Sequence, residues 1–136
     1  MIQSLTVNWL AIVVAALANI VIGALWYSPF LFGKVWMRAS GKQDMGKGAG
    51  KLYLLNAVAS LLIAYVLVHA IRYAAGDAAT VAEGMMVAGI NWLGFLVAGV
   101  LPVYLFEGRN KSLYFFYIAY QLVSFLVMGA ILASWK

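Results

Sequence analysis

The chain has 136 residues, of which 66% are hydrophobic and only 10% are charged, a composition that predicts one small membrane domain covering residues 1–136. It contains no cysteine, which excludes disulfides, thiolate metal sites and cysteine nucleophiles. The net charge of +5 is compatible with a nucleic-acid partner, but the cations lie between apolar runs, and this placement argues against nucleic-acid binding.

Four apolar runs, each of roughly 20 residues, are long enough to cross a bilayer. None of them contains Lys, Arg, Asp or Glu, whereas a helix of a soluble protein keeps one face in water and carries charges every few residues. We therefore predict an all-α membrane protein, a bundle of four transmembrane helices with a short interfacial segment after the first helix. We expect the first run to be a retained span and not a cleaved signal peptide, because no cation precedes it. The predicted spans are Val7–Tyr27, Leu52–Ile71, Gly84–Phe106 and Leu113–Trp135.

The cations are concentrated in two alternate loops, which face the same side of a four-helix bundle. The opposite side has only Arg72 and Lys136. The positive-inside rule places the cation-rich loops in the cytoplasm, and it therefore predicts that both termini lie on the extracytoplasmic side of the cell membrane. The cations of the two loops are Lys34, Arg38, Lys42, Lys47, Lys51, Arg109 and Lys111.

Pro29 ends the first predicted span, because a proline disfavours helical conformation at the residue before it. The stretch that follows, Phe30–Met37, is short, aromatic and flanked by cations. We predict that it lies along the inner membrane interface, where aromatic rings and cations meet the lipid headgroups. A loop packed beneath the bundle is the alternative. The candidate interface residues are Trp26, Tyr27, Phe32, Lys34, Trp36 and Arg38.

Each predicted span has one face of polar, small or aromatic side chains when its residues are placed 100° apart around a helix. On the third span this face contains Gly84, Ala88, Asn91, Phe95, Ala98 and Pro102. Such faces pack helices together in most membrane bundles, because small residues allow close approach and amides bond across the contact. Alternatively they line a polar solute pathway, which the proline favours because it frees a backbone carbonyl within the bilayer. The candidate residues are Asn19, Ser60, Asn91, Pro102, Gln121 and Ser124.

The predicted spans carry no signature of catalysis or of a metal or cofactor site. No carboxylate lies within a span, which disfavours a proton-coupled exporter with a buried acidic carrier. His69 has no acidic or cysteine companions, and an interfacial position accounts for it better than metal binding does. We therefore expect neither an enzyme nor a resident cofactor.

Several short motifs follow one another along the chain. They are Asn8-Trp9-Leu10, Gly23-Ala24-Leu25-Trp26-Tyr27-Ser28-Pro29, Leu31-Phe32-Gly33-Lys34, Trp36-Met37, Leu101-Pro102-Val103, Phe106-Glu107-Gly108-Arg109 and Met128-Gly129-Ala130-Ile131-Leu132. Together they resemble a bacterial family of small four-span membrane proteins that is defined only as a domain of unknown function. The resemblance covers nearly the whole chain and implies the four-span topology, without an activity or site residues.

Two functions stay open on the sequence. The first is a small channel or transporter-like protein, which would require a homo-oligomer because four helices enclose little space. The second is a structural or interaction protein that binds a membrane partner or anionic lipid through the basic loop. Membrane lipids are expected partners in both cases, and the sequence specifies no solute.

Overall fold

A computed structural model describes residues 6–28, 31–40 and 49–135 of the chain. These residues form helices and no strand, and four helical segments are long and apolar enough to cross a membrane, which confirms the predicted fold class. The helices are α1 (Trp9–Trp26), α2 (Gly33–Ser40), α3 (Ala49–Ala75), α4 (Val81–Asn91), a π-helical segment (Trp92–Val97), α5 (Ala98–Phe106) and α6 (Lys111–Ser134). Helix α4, the π-helical segment and α5 run on continuously as the third span, whereas α2 is too short to cross a bilayer.

Capping side chains set the beginnings of two of the long helices. The side chain of Asn8 accepts the backbone N–H of Ala11 at 3.2 Å and so begins α1. Thr80 and Glu83 form a capping box, in which each side chain accepts the backbone N–H of the other residue. This box begins α4 ahead of the predicted third span, because it supplies acceptors for N–H groups that the helix itself leaves unpaired.

The four spans pack as neighbours in the order α1, α3, α4, α6, with α6 returning to α1 and α3 touching α6 across the diagonal. The core between them consists of alanines and a few larger apolar side chains, whereas many leucines and valines on the outer faces are exposed. In a membrane, lipid covers those outer faces. The fully buried larger apolar side chains are Ile12, Ile71, Met128 and Leu132.

Helices α4 and α6 make the closest approach in the bundle. Gly84 and Ala88 on α4 face Gly129 and Ala133 on α6, so each helix presents two small residues four positions apart. A Cβ atom added to Gly129 would lie 2.6 Å from the backbone oxygen of Gly84, a distance that no side chain tolerates. The contact therefore depends on glycine, as in other membrane helix pairs that pack backbone against backbone.

The π-helical segment changes which face of the third span points inward. The backbone N–H of Ala98 donates to the carbonyl of Leu93, five residues earlier, so this turn contains one residue more than an α-helical turn. As a result Trp92 and Leu96 pack against the core. The predicted face, drawn with uniform α-helical spacing, is wrong beyond Asn91, because Phe95, Ala98 and Pro102 are exposed.

Helix α2 folds back beneath the end of α1. Gly33 permits this turn, because a Cβ atom at that position would lie 2.6 Å from the backbone oxygen of Tyr27. The turn is closed by backbone hydrogen bonds from Gly33 to Ser28 at 2.8 Å and from Phe32 to Trp26 at 3.2 Å. Of the predicted interfacial stretch, Phe30 lies outside the described residues, and so does Pro29 before it.

Candidate functional site

A buried polar network joins three helices near the middle of α1. Asn19 donates from Nδ2 to the hydroxyl oxygen of Ser60 on α3 at 2.7 Å. Its Oδ1 accepts hydrogen bonds from Tyr120, at 3.0 Å, and from Ser124, both on α6. We call these four residues the Asn19 hub. Because each of them is nearly or fully buried, the hub is the main polar contact inside the described part of the bundle.

All three hydroxyl groups of the hub donate their hydrogen to acceptors within the protein. Ser60, after accepting from Asn19, donates its own hydroxyl hydrogen to the backbone oxygen of Asn56 at 2.8 Å. Ser124 also contacts the sulfur of Met128 at 3.7 Å. Each hydroxyl hydrogen therefore has an acceptor inside the protein, and the Asn19 oxygen receives two donors. Such a network fixes the positions of helices and presents no free hydroxyl donor to a solute.

The predicted polar residues divide into those that the hub contains and those that it does not. Asn19, Ser60 and Ser124 meet there. Asn91 instead bonds within its own helix, to the backbone oxygen of Val87 at 2.8 Å. Pro102 is exposed on α5, on a face that does not contribute to the hub. The hub also includes Tyr120, which the predicted faces missed, although it lies one helical turn from Ser124.

Gln121 is buried but separate from the hub. Its side chain, 6% exposed, is in hydrogen-bond contact with Tyr117, four residues earlier on α6. Its Oε1 atom has no hydrogen-bond partner within the described part of the chain. A buried amide oxygen without a donor is costly, by about 1–3 kcal/mol, and it therefore marks a position that a further polar group would stabilise.

Below the hub, the end of α1 meets α2 and the start of α6 through a cluster of six aromatic rings. Ring centroids are 5.5 Å apart for Tyr27 and Trp36, 5.1 Å for Tyr27 and Phe116, and 4.7 Å for Trp26 and Phe32. Such separations are typical of favourable aromatic pairs. The cluster also adjoins the hub, because Tyr120 belongs to both. Its members are Trp26, Tyr27, Phe32, Trp36, Phe116 and Tyr120.

The aromatic cluster separates the six candidate interface residues into two groups. Four of them, the aromatic ones, form ring contacts with one another and with α6. Lys34 and Arg38 project from α2 and are exposed. Helix α2 is thus held to the bundle by its aromatic side and offers its cations to the surroundings.

The family comparison covers most of the chain. The family described as "Protein of unknown function (DUF1761)" matches residues 10–133. The chain belongs to this family. The match covers the four spans except for Trp9 and Ser134, together with α2, the Asn19 hub and the aromatic cluster. No curated protein and no solved structure matches the chain.

In this DUF1761 protein the charges divide between the two ends of the bundle. At the end that carries the aromatic cluster, Lys34, Arg38, Lys51 and Lys111 are exposed, and Glu107 pairs with Arg109 at 2.8 Å. The opposite end carries an ion pair between Arg72 and Asp77, also at 2.8 Å, and the capping carboxylate of α4. The first end, which we call the basic end, therefore has a surplus of cations among the described residues.

Proposed function

We propose that this protein is a membrane-embedded interaction protein whose basic end binds anionic lipid headgroups. The observation that carries the proposal is the orientation of α2. Its aromatic side packs on α1 and α6, with Trp36 against Tyr27, while Lys34 and Arg38 remain exposed at the same level. We expect a short helix of this kind to lie at the depth of the headgroups, because its half-buried Trp36 packs on the bundle and its cations reach outward.

The other cations of the basic end support the same function. Lys51 at the start of α3 and Lys111 at the start of α6 are exposed and have no ion-pair partner within the described residues. Each cation near an anionic leaflet contributes about 1 kcal/mol of attraction. The positive-inside rule gives this end a cytoplasmic orientation, where anionic lipids are the natural counter-charge.

A selectivity measurement tests the proposal. The protein is placed in nanodiscs, and the fraction of motionally restricted spin-labelled phosphatidylglycerol is compared with that of spin-labelled phosphatidylcholine. We expect a preference for phosphatidylglycerol that weakens severalfold when Lys34, Arg38 and Lys51 are all changed to Gln, and that falls as salt is raised. Arg72→Gln, at the opposite end, is the matched control and should keep the preference. Equal restriction of both lipids by the wild-type protein would refute the proposal.

A channel or transporter-like function in a homo-oligomer is the second candidate, and Gln121 is the observation that favours it. Its buried Oε1 atom lacks a partner within the described residues, as expected of a group that meets a polar solute or water. Planar bilayers containing the protein in potassium chloride should then show conductance that Gln121→Leu abolishes. Conductance no greater than that of protein-free bilayers, or unchanged by the substitution, would exclude Gln121 as a pore residue.

A further inference from the structure

A groove of about 330 Å³ lies between α3 and the third span, at the level of the π-helical segment. Its volume lies at the lower end of the range of known small-molecule sites. The groove is open on its outer side, because Leu62, Val66 and Phe95 are 60%, 62% and 75% exposed. Helix α3 and α6 contribute apolar walls, and the third span contributes the one polar side chain of the lining. Its main lining residues are Leu62, Val66, Asn91, Phe95, Leu96 and Phe125.

Asn91 is the polar side chain of the groove, and one of its two amide N–H groups is bonded within its own helix. Its Nδ2 atom donates one hydrogen to the backbone oxygen of Val87. The second N–H and the Oδ1 atom have no partner within the described part of the chain. An amide can therefore offer a ligand one donor and one acceptor side by side.

The depth of Asn91 limits which membrane molecules can use these groups. Asn91 is the last residue of α4, about 15 Å along the helix from Val81, so it lies well inside the hydrocarbon layer of a span of this length. Phospholipids keep their polar groups at the membrane surface, and their acyl chains bring no hydrogen-bonding group to this depth. A ligand that satisfies Asn91 must therefore be lipophilic throughout and carry its own oxygen into the bilayer interior.

The neighbouring Phe95 further restricts the chemical class of ligand that the groove can bind. It lies one turn after Asn91 on the wall of the same groove and is 75% exposed, because the π-helical segment turns it away from the core. A π-helical turn within a long helix is commonly found at functional sites. An exposed aromatic ring next to a free amide suits a flat ring that bears oxygen atoms, since rings pair with rings and carbonyl or hydroxyl groups pair with amides.

We propose that this groove binds an isoprenoid quinone or quinol. The ring lies against Phe95, a ring oxygen bonds the free amide groups of Asn91, and the isoprenoid chain follows the apolar side chains of Leu62 and Val66. The quinone carbonyl accepts the amide N–H, whereas the quinol hydroxyl donates to Oδ1, so Asn91 serves both forms. This site is separate from the basic end, and it does not depend on anionic lipid binding.

Photolabelling of the full chain in nanodiscs tests the inference. The probe is an azido-substituted quinone with a decyl chain, and unlabelled decylubiquinone is the competitor. We expect saturable labelling of peptides containing Phe95 or Leu62, with full competition. Asn91→Leu should weaken apparent affinity about fivefold, the effect of losing one intramembrane hydrogen bond. Val66→Trp, which fills the groove from α3, should abolish saturable labelling.

Asn56→Leu is the matched control, because it removes an exposed amide of α3 that lies outside the groove, and it should leave labelling unchanged. The melting temperature of each variant is measured so that Asn91→Leu is compared in folded protein. Labelling that rises linearly with probe concentration, or that is equal in the wild type and Asn91→Leu, would overturn the proposal. The same conclusion would follow if Val66→Trp kept saturable labelling, because the probe would then bind elsewhere.

Discussion

Replacing Asn19 with Leu isolates the energetic role of the Asn19 hub. The substitution keeps the size of the side chain nearly constant and removes the three hydrogen bonds that Asn19 makes with Ser60, Tyr120 and Ser124. Intramembrane hydrogen bonds of this kind contribute about 0.6 kcal/mol each on average and at most about 1.7 kcal/mol. Three of them give an expected loss of about 2 kcal/mol in the free energy of unfolding, with an upper bound of about 5 kcal/mol.

The assay is unfolding by SDS titration from mixed micelles, followed by circular dichroism. Asn56→Leu is again the control, because its side chain is exposed and it should change stability by less than about 0.5 kcal/mol. Combining Asn19→Leu with Ser124→Ala should cost little more than Asn19→Leu alone, since the second change removes a bond that is already lost. Equal stability of Asn19→Leu and Asn56→Leu, or full additivity of the double variant, would refute the hub as a cooperative network.

Three further predictions concern packing, polarity and orientation. Gly129→Ala should lower stability by about 1–3 kcal/mol in the same titration, because its Cβ atom would meet the backbone of α4, whereas Gly99→Ala, with open space around it, should not. Gln121→Leu removes an amide oxygen that lacks a partner within the described residues, but it also removes the hydrogen-bond contact with Tyr117, so the free energy of unfolding should change by less than about 1 kcal/mol; a larger loss would show that the oxygen itself is bonded. In intact cells, Lys111→Cys should be shielded from an impermeant thiol reagent and Ala78→Cys should react, and the reverse pattern would invert the topology.

The sequence was sufficient to predict the helices because the signal for a membrane span is local. An apolar run without charges must form a helix inside a bilayer, whatever surrounds it. The hub was partly predictable for the same reason, since Asn19, Ser60 and Ser124 are polar residues inside such runs and amides must find partners there. Which of them meet one another depends on helix rotation and depth, and Asn91 shows that a partner can lie within the same helix.

The π-helical segment could not be predicted from uniform α-helical spacing, and its first and last residues, Trp92 and Val97, are both hydrogen-bonded to α6. The indole N–H of Trp92 donates to the backbone oxygen of Ile118 at 2.8 Å, and the hydroxyl of Tyr114 donates to the backbone oxygen of Val97 at 2.6 Å. Both bonds join the third span to α6 and act over long separations in sequence. Uniform α-helical spacing cannot represent such a change, and it therefore assigned Phe95 and Pro102 to the packed face.

The π-helical segment also separates two parts of the third span that pack differently. Above it, Gly84 and Ala88 are buried against α6, whereas no side chain of α5 below it is buried. The first residues of α3, which precede Ser60, are largely exposed as well. The bundle is therefore tightly packed at the end opposite the cations, and at the basic end it relies on the aromatic cluster of α1, α2 and α6. We therefore expect lipid to contribute more contacts at the basic end than at the opposite end, which would agree with the proposal that the basic end binds anionic headgroups.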